Sequence, residues 1–218
     1  MHSDKHIAIK LRREGKSYNK ISLMLNIPKS TLATWFSELN WSQEIKKELT
    51  RKANYIAKKR LCIINKARRE SWERWREQAR IQARKNFVKL KNNPLFIAGV
   101  MLYWGEGDSK IENSIVRLSN TNPQLIKMFS LFLQKTCGVP KEKIKIALIL
   151  YPDLNEGKCH QFWSQVTNIP STQFRKTQYI KGRHPTKRLT NGICMVNVSS
   201  RELKEKIFVW IEKFYKLF

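Results

Sequence analysis

Acidic side chains are scarce in this sequence: 17 Asp and Glu stand against 43 Lys and Arg, a formal net charge of +26 over 218 residues. Such a surface repels basic partners and draws polyanions from beyond contact distance. Long apolar runs are missing too. The uncharged run from Asn92 to Gly105 counts 14 residues, short of the roughly 20 that a membrane-spanning helix needs. The N-terminal MHSDKHIAIKLRREG has neither an apolar core nor a small-residue cleavage site, so it does not read as a secretory signal. A cytoplasmic location is therefore expected. Cysteine is sparse and scattered: Cys62, Cys137, Cys159 and Cys194 form no CxxC pair, which argues against a disulfide framework. Cys159 beside His160 lacks the further ligands of a zinc site. Of the polyanions, nucleic acid is expected before an anionic membrane surface, which has no use for this aromatic and apolar content.

Glycine and proline are absent from Ser42 to Asn92, where 17 basic residues meet 5 acidic ones. This stretch reads as one long helix. Ile45, Leu49, Ala53, Ile56, Ile63, Ala67, Trp72, Trp75, Ala79, Ala83 and Phe87 recur at steps that give one apolar stripe on a basic rod, hence one buried face. Arg68 and Arg69 are among the side chains expected to follow phosphates.

Before the rod, residues 4 to 39 break at Gly15 and again at Asn26-Ile27-Pro28. Ile7 and Leu11, then Ile21 and Leu25, repeat at helical spacing, with Ser17 and Ser30 as candidate N-caps. Three short helices follow, closed by a small core of Ile27, Leu32 and Trp35. The residues Glu14, Gly15, Ser17, Ile21, Leu25, Ile27, Ser30, Thr31, Leu32 and Trp35 resemble the helix-turn-helix of resolvases, transposases and bacterial regulators. The resemblance implies a last helix in the major groove, with Lys29, Ser30, Thr31 and Thr34 against base edges.

After Asn92-Asn93-Pro94 the pattern alternates: helix near 95 to 106, strand near 113 to 119, helix near 123 to 136 and strand near 143 to 151. A helix near 155 to 167, strands near 172 to 181 and 192 to 199, and a helix from about 201 to 217 complete it. The fold class expected is α+β, organised as a helix-turn-helix over 1–41, a basic helical linker over 42–92 and a domain over 93–218. In the strands, Arg117 and Ser119 face away from Val116 and Leu118, and Lys145 faces away from Ile144 and Ile146. The segment from Phe174 to Arg188 interleaves Arg175, Lys176, Lys181, Arg183, Lys187 and Arg188 with Phe174 and Tyr179. All these basic groups are candidate DNA contacts.

The run GVMLYWGEG, residues 99 to 107, closes as the LAGLIDADG motif does, and IVRLSNTNPQLIKMFSLFLQKTCGVP resembles a later segment of the same homing-endonuclease family. Over about 93 to 217 the resemblance implies an antiparallel saddle sheet on DNA and a motif helix that packs on its counterpart. It also implies a terminal acid that binds a divalent metal. One motif copy implies a homodimer. Ala98 and Gly105, seven apart, would then lie at the dimer interface, and Glu106 would be the metal-binding catalytic residue, with Asp108 a second catalytic candidate and Mg²⁺ the cofactor. Ile97-Ala98-Gly99 and Gly105-Glu106-Gly107 fit the motif in frames two residues apart, the second placing Met101 at the family's first interface glycine. The expectation is a sequence-specific, homodimeric, metal-dependent endonuclease acting on double-stranded DNA. The alternatives are a DNA-binding regulator that does not cut and, behind it, an RNA-binding protein of the maturase kind.

Overall fold

The computed structural model describes residues 4–180 and 189–217. The chain divides into two compact units, Met1–Ser71 and Trp72–Phe218. The boundary falls inside a single long helix, and each unit holds part of it.

In the first unit, α1 (Lys5–Arg13), α2 (Tyr18–Leu25) and α3 (Lys29–Phe36) precede the start of α4 (Asn40–Leu90). Gly15 at φ +80° and Asn26 at φ +53° turn the chain between helices, a conformation that glycine and asparagine adopt with least strain. Ser17 caps α2 by accepting from the Lys20 N–H at 3.3 Å. Ser30 does not cap α3, which starts behind Pro28 with no side-chain cap. The core is Ala8, Ile21, Ile27, Leu32 and Phe36. Ile7 is exposed and Trp35 only half-buried: α1 turns its Ala8 and Arg12 side inward, and Phe36 takes the place expected of Trp35.

Arg12 explains that rotation. It is buried, donating from Nε to Ser42 Oγ (3.0 Å) and from its terminal nitrogens to the carbonyls of Ser42 (2.7 Å) and Lys16 (2.9 Å). Its guanidinium lies 4.5 Å from the Tyr18 ring centroid. Burial draws its pKa down, and Tyr18 opposes the shift. One arginine thus ties α1, the first loop and the start of α4 together, with its charge met by hydrogen bonds on every side.

Helix α4 does not bury one face along its length. Ile45 and Leu49 are half-buried in the first unit, and Ala79, Ala83 and Phe87 are buried in the second, but every residue from Thr50 to Arg74 is exposed. The stripe is continuous in sequence and uncovered in its middle.

The second unit holds α5 (Pro94–Glu106), β1 (Ile115–Asn120), α6 (Pro123–Leu131, extended by a π turn to Thr136), β2 (Ile144–Leu150), α7 (Glu156–Thr167), β3 (Gln178–Tyr179), β4 (Ile193–Ser199) and α8 (Arg201–Tyr215). The sheet order is β1-β4-β2-β3. It is mixed, not the antiparallel saddle expected: β4 pairs antiparallel with β1 and β2, whereas β3 runs parallel to β2. The cause is α7, since a helical crossover returns the chain in its original direction. The strand expected over 172 to 181 shrinks to two residues, because Ser171–Gln173 form a 3₁₀ turn and Phe174 turns onto the His160 ring at 4.9 Å.

Val116, Leu118, Ile144, Ile146, Leu148, Leu150, Cys194, Val196 and Val198 form the buried face of the sheet, within one core shared with the helices. The second half of α4 is anchored there by Trp210, whose Nε1 donates to the Ala83 carbonyl at 3.0 Å, and by Arg80, which meets the buried Glu205 at 2.9 Å. Arg201 holds the other Glu205 oxygen at 2.7 Å. Among the described residues, no helix is long and apolar enough to cross a membrane.

Candidate nucleic-acid interface

Helix α3 separates its residues by chemistry. Leu32 and Phe36 are buried, while Lys29, Ser30 and Thr34 are exposed and Thr31 is half-buried. Its first turn lacks the side-chain acceptor that Ser17 supplies to α2, and first-turn N–H groups without one suit an anion such as phosphate. Thr34 Oγ1 donates to the Ser30 carbonyl at 3.1 Å. Its hydroxyl proton is thereby committed within the helix, and the oxygen faces outward as an acceptor.

In the second unit, strand pairing assembles residues that are far apart in sequence. Arg117 on β1 and Lys145 on β2 both sit opposite Asn197 on the central β4, and Ser119 and Ala147 both sit opposite Met195. Two rows therefore cross three strands on the face turned away from the core. Arg117 is exposed, Ser119, Met195 and Lys145 are half-buried, and Asn197 and Ala147 are buried. Asn197, with Nδ2 donating to the Met195 carbonyl at 3.3 Å, is the member of this face that sequence reading missed. The alternation of Val196 and Val198 around it was the available signal.

Arg175 and Lys176 are exposed beside β2, where the Arg175 N–H donates to the Ile146 carbonyl at 2.7 Å. Lys181, Arg183, Lys187 and Arg188 lie outside the described residues. Tyr179 Oη donates to Glu156 at 2.8 Å. Hydrogen bonds from Thr177 and Tyr179 hold the Glu156 carboxyl below its ordinary range. Arg68 and Arg69 are exposed on α4.

Helix α5 begins on Asn93, whose side chain accepts from the Phe96 N–H at 3.0 Å, followed by Pro94 at its first position, where no N–H is needed. Its buried face is Phe96, Gly99, Val100 and Tyr103. Gly99 is required there: a Cβ would stand 2.1 Å from Phe132 Cγ. Ala98, Met101, Leu102 and Gly105 occupy the opposite side, half-buried or exposed, and a Cβ on Gly105 would meet nothing within 4 Å. A helix apolar all round is ordinarily covered all round, whereas here Met101 and Leu102 are only partly covered by the core of their own unit and Gly105 is exposed.

The two acids at its end have opposite surroundings. Asp108 accepts from the Lys110 N–H (3.0 Å), Asn113 Nδ2 (3.1 Å) and Arg117 (3.2 Å), and Lys204 Nζ stands 3.8 Å away. The Lys110 N–H leads the causes that hold its pKa down, with Asn113, Lys204 and Arg117 adding to it. Its backbone carbonyl accepts from Tyr103 Oη at 3.0 Å, and burial pushes the Tyr103 phenol far above its ordinary range. Both Asp108 oxygens are thus committed to donors, two of them cationic, so this side chain does not fit a metal ligand. Glu106 is exposed and makes no hydrogen bond or ion pair among the described residues. Among those residues, no three His, Cys, Asp or Glu side chains converge as a metal site. One protomer therefore supplies one free carboxylate at this place, which does not by itself fit Mg²⁺.

With this geometry in place, comparison with protein-family models, with curated proteins and with solved structures finds no match to this chain.

Proposed function

We propose that this chain is a sequence-specific double-stranded DNA-binding protein that acts as a homodimer. The observation that carries the reading is the division of α3, whose Leu32 and Phe36 are buried while Lys29, Ser30 and Thr34 face outward behind an uncapped first turn. Groups placed so can donate to phosphates and reach base edges at once. The sheet face turned away from the core, where exposed Arg117 and half-buried Lys145 flank the buried Asn197 in one row, adds basic groups of its own. The homodimer is supported by the partly covered side of α5, where Ala98 is half-buried and Gly105 is exposed with open space beside it.

A second reading, endonuclease activity with Mg²⁺, is favoured by Glu106. Pairing of α5 with its copy would bring two such carboxylates to one place, where like charges repel unless a cation lies between them. Incubation with a randomised duplex library and Mg²⁺, with sequencing of bound and of cut molecules, tests both. A recovered sequence motif among bound molecules is expected. Binding with no preference, or preference for single-stranded RNA of equal length, refutes the first reading; a bound motif that is never cut in Mg²⁺ or Mn²⁺ refutes the second.

A further inference from the structure

The middle of α4 asks for an explanation that DNA binding does not supply. From Arg51 to Arg69 there are eight basic residues and no acid, and every residue is exposed. Ile56, Leu61, Ile63 and Ile64 expose 49, 57, 69 and 53% of their surface. At about 100° per residue, these four with Ala53 and Ala67 fall within roughly half of the helix circumference. Lys58, Lys59, Lys66 and Arg69 fall on the other half. A phosphate backbone satisfies the basic half and leaves the isoleucines in water.

Charge decides among the other occupants. A second copy of the same segment would set two strongly cationic helices about 10 Å apart, close to the screening length at physiological salt. A membrane surface would meet Arg60, which lies in the middle of the apolar arc with Arg68 towards one edge. It would also find none of the Trp or Phe side chains that seat interfacial helices between positions 51 and 69. A protein helix can place a carboxylate opposite Arg60 and apolar side chains opposite the isoleucines, in one register.

We propose that the segment Ala53–Ala67 of α4 is a docking site for an acidic amphipathic helix of another protein. Apolar side chains of the partner cover Ile56, Ile63 and Ile64, and a carboxylate of the partner pairs with Arg60. The proposal does not depend on what the other surfaces bind.

Two synthetic peptides of equal length and composition serve as probes, one with leucines at heptad spacing flanked by glutamates and one with the same residues scrambled. Binding to the full chain is read by fluorescence anisotropy at physiological salt. The amphipathic peptide is expected to bind at least about ten-fold tighter. Ile56→Gln with Ile63→Gln should erase that advantage while leaving the circular dichroism spectrum and melting temperature in place, because both side chains are exposed and glutamine favours helix. Arg60→Gln should reduce it. Equal binding of the two peptides means that charge alone acts and overturns the proposal, as does an unchanged advantage in the isoleucine variant. A parent dimer that this variant converts to monomer would assign the face to a second copy. Sedimentation of the parent, and not of the variant, with phosphatidylserine vesicles would assign it to a membrane.

Discussion

Replacing Asp108 by asparagine distinguishes an anchoring acid from a catalytic one. Lys204 is 0% exposed and Asp108 9% exposed at the side chain, with Nζ 3.8 Å from Oδ1. Lys204 also donates to the Ile115 carbonyl at 3.0 Å, which holds its ammonium beside Asp108. Asparagine keeps an acceptor for the Lys110 N–H but removes the charge, and its amide nitrogen then faces the Asn113 and Arg117 donors. Removing one partner of a buried pair costs about 3–5 kcal/mol; the water contact that Asp108 retains places the loss near the lower end, about 3 kcal/mol. For a folding unit of this size, that lowers the melting temperature by about 6–12 °C. The assay is thermal unfolding followed by circular dichroism from pH 3 to pH 10. Because the Asp108 pKa is depressed in the fold, its contribution is present above the ordinary carboxylate range and lost as pH falls through the folded pKa. The gap between parent and variant should therefore begin to narrow as pH falls below about 4 and close only below the depressed folded pKa. Burial already lowers the Lys204 pKa, and without Asp108 it falls further, so the variant should regain stability as rising pH discharges the lysine. Combined with Asp108→Asn, Lys204→Met should restore part of the loss, since it removes the unpaired buried charge but also the bond to the Ile115 carbonyl. A variant that melts with the parent at pH 7, or a Lys204→Met change whose effect simply adds, refutes the anchoring role.

Three other outcomes follow from the described contacts. Thr34→Ala should relax preference at one base pair by about 1–3 kcal/mol without destabilising α3, since its hydroxyl bonds only within the helix; an unaltered binding motif would move base reading to another element. Lys145→Ala should flatten the salt dependence of DNA binding by about 0.9 in log–log slope, and Arg117→Ala by less, because Asp108 already pairs with that guanidinium; equal slopes would contradict this ranking. A Cβ at Gly105 meets no neighbour within 4 Å and the position is exposed, so Gly105→Leu should leave the melting behaviour of the monomer intact and weaken the dimer measured by analytical ultracentrifugation. A parent that sediments as a monomer with and without duplex ends the dimer reading.

Periodicity and breakers were enough to place α1 to α8 and strands β1, β2 and β4, because each is written in local terms: Gly15, Asn26-Ile27-Pro28 and Asn93-Pro94 interrupt, and spacing of three, four or two residues does the rest. The outward face of β1 and β2 was legible for the same reason, since alternation sends Arg117 and Lys145 opposite to Val116 and Ile144. What sequence alone could not determine depended on partners distant along the chain. The α7 crossover made β3 parallel and shortened it. Arg12 went inward because Ser42 and Tyr18, 30 and 6 residues away, meet its charge, where composition places arginine in water. The α4 stripe looked like one buried face, yet only its ends found neighbours, since periodicity records which side chains share a side and not whether anything covers them. The two acids after α5 looked alike in sequence. Only tertiary structure separated them, by folding β1 and α8 so that Arg117 and Lys204 converge on Asp108 and leave Glu106 in water.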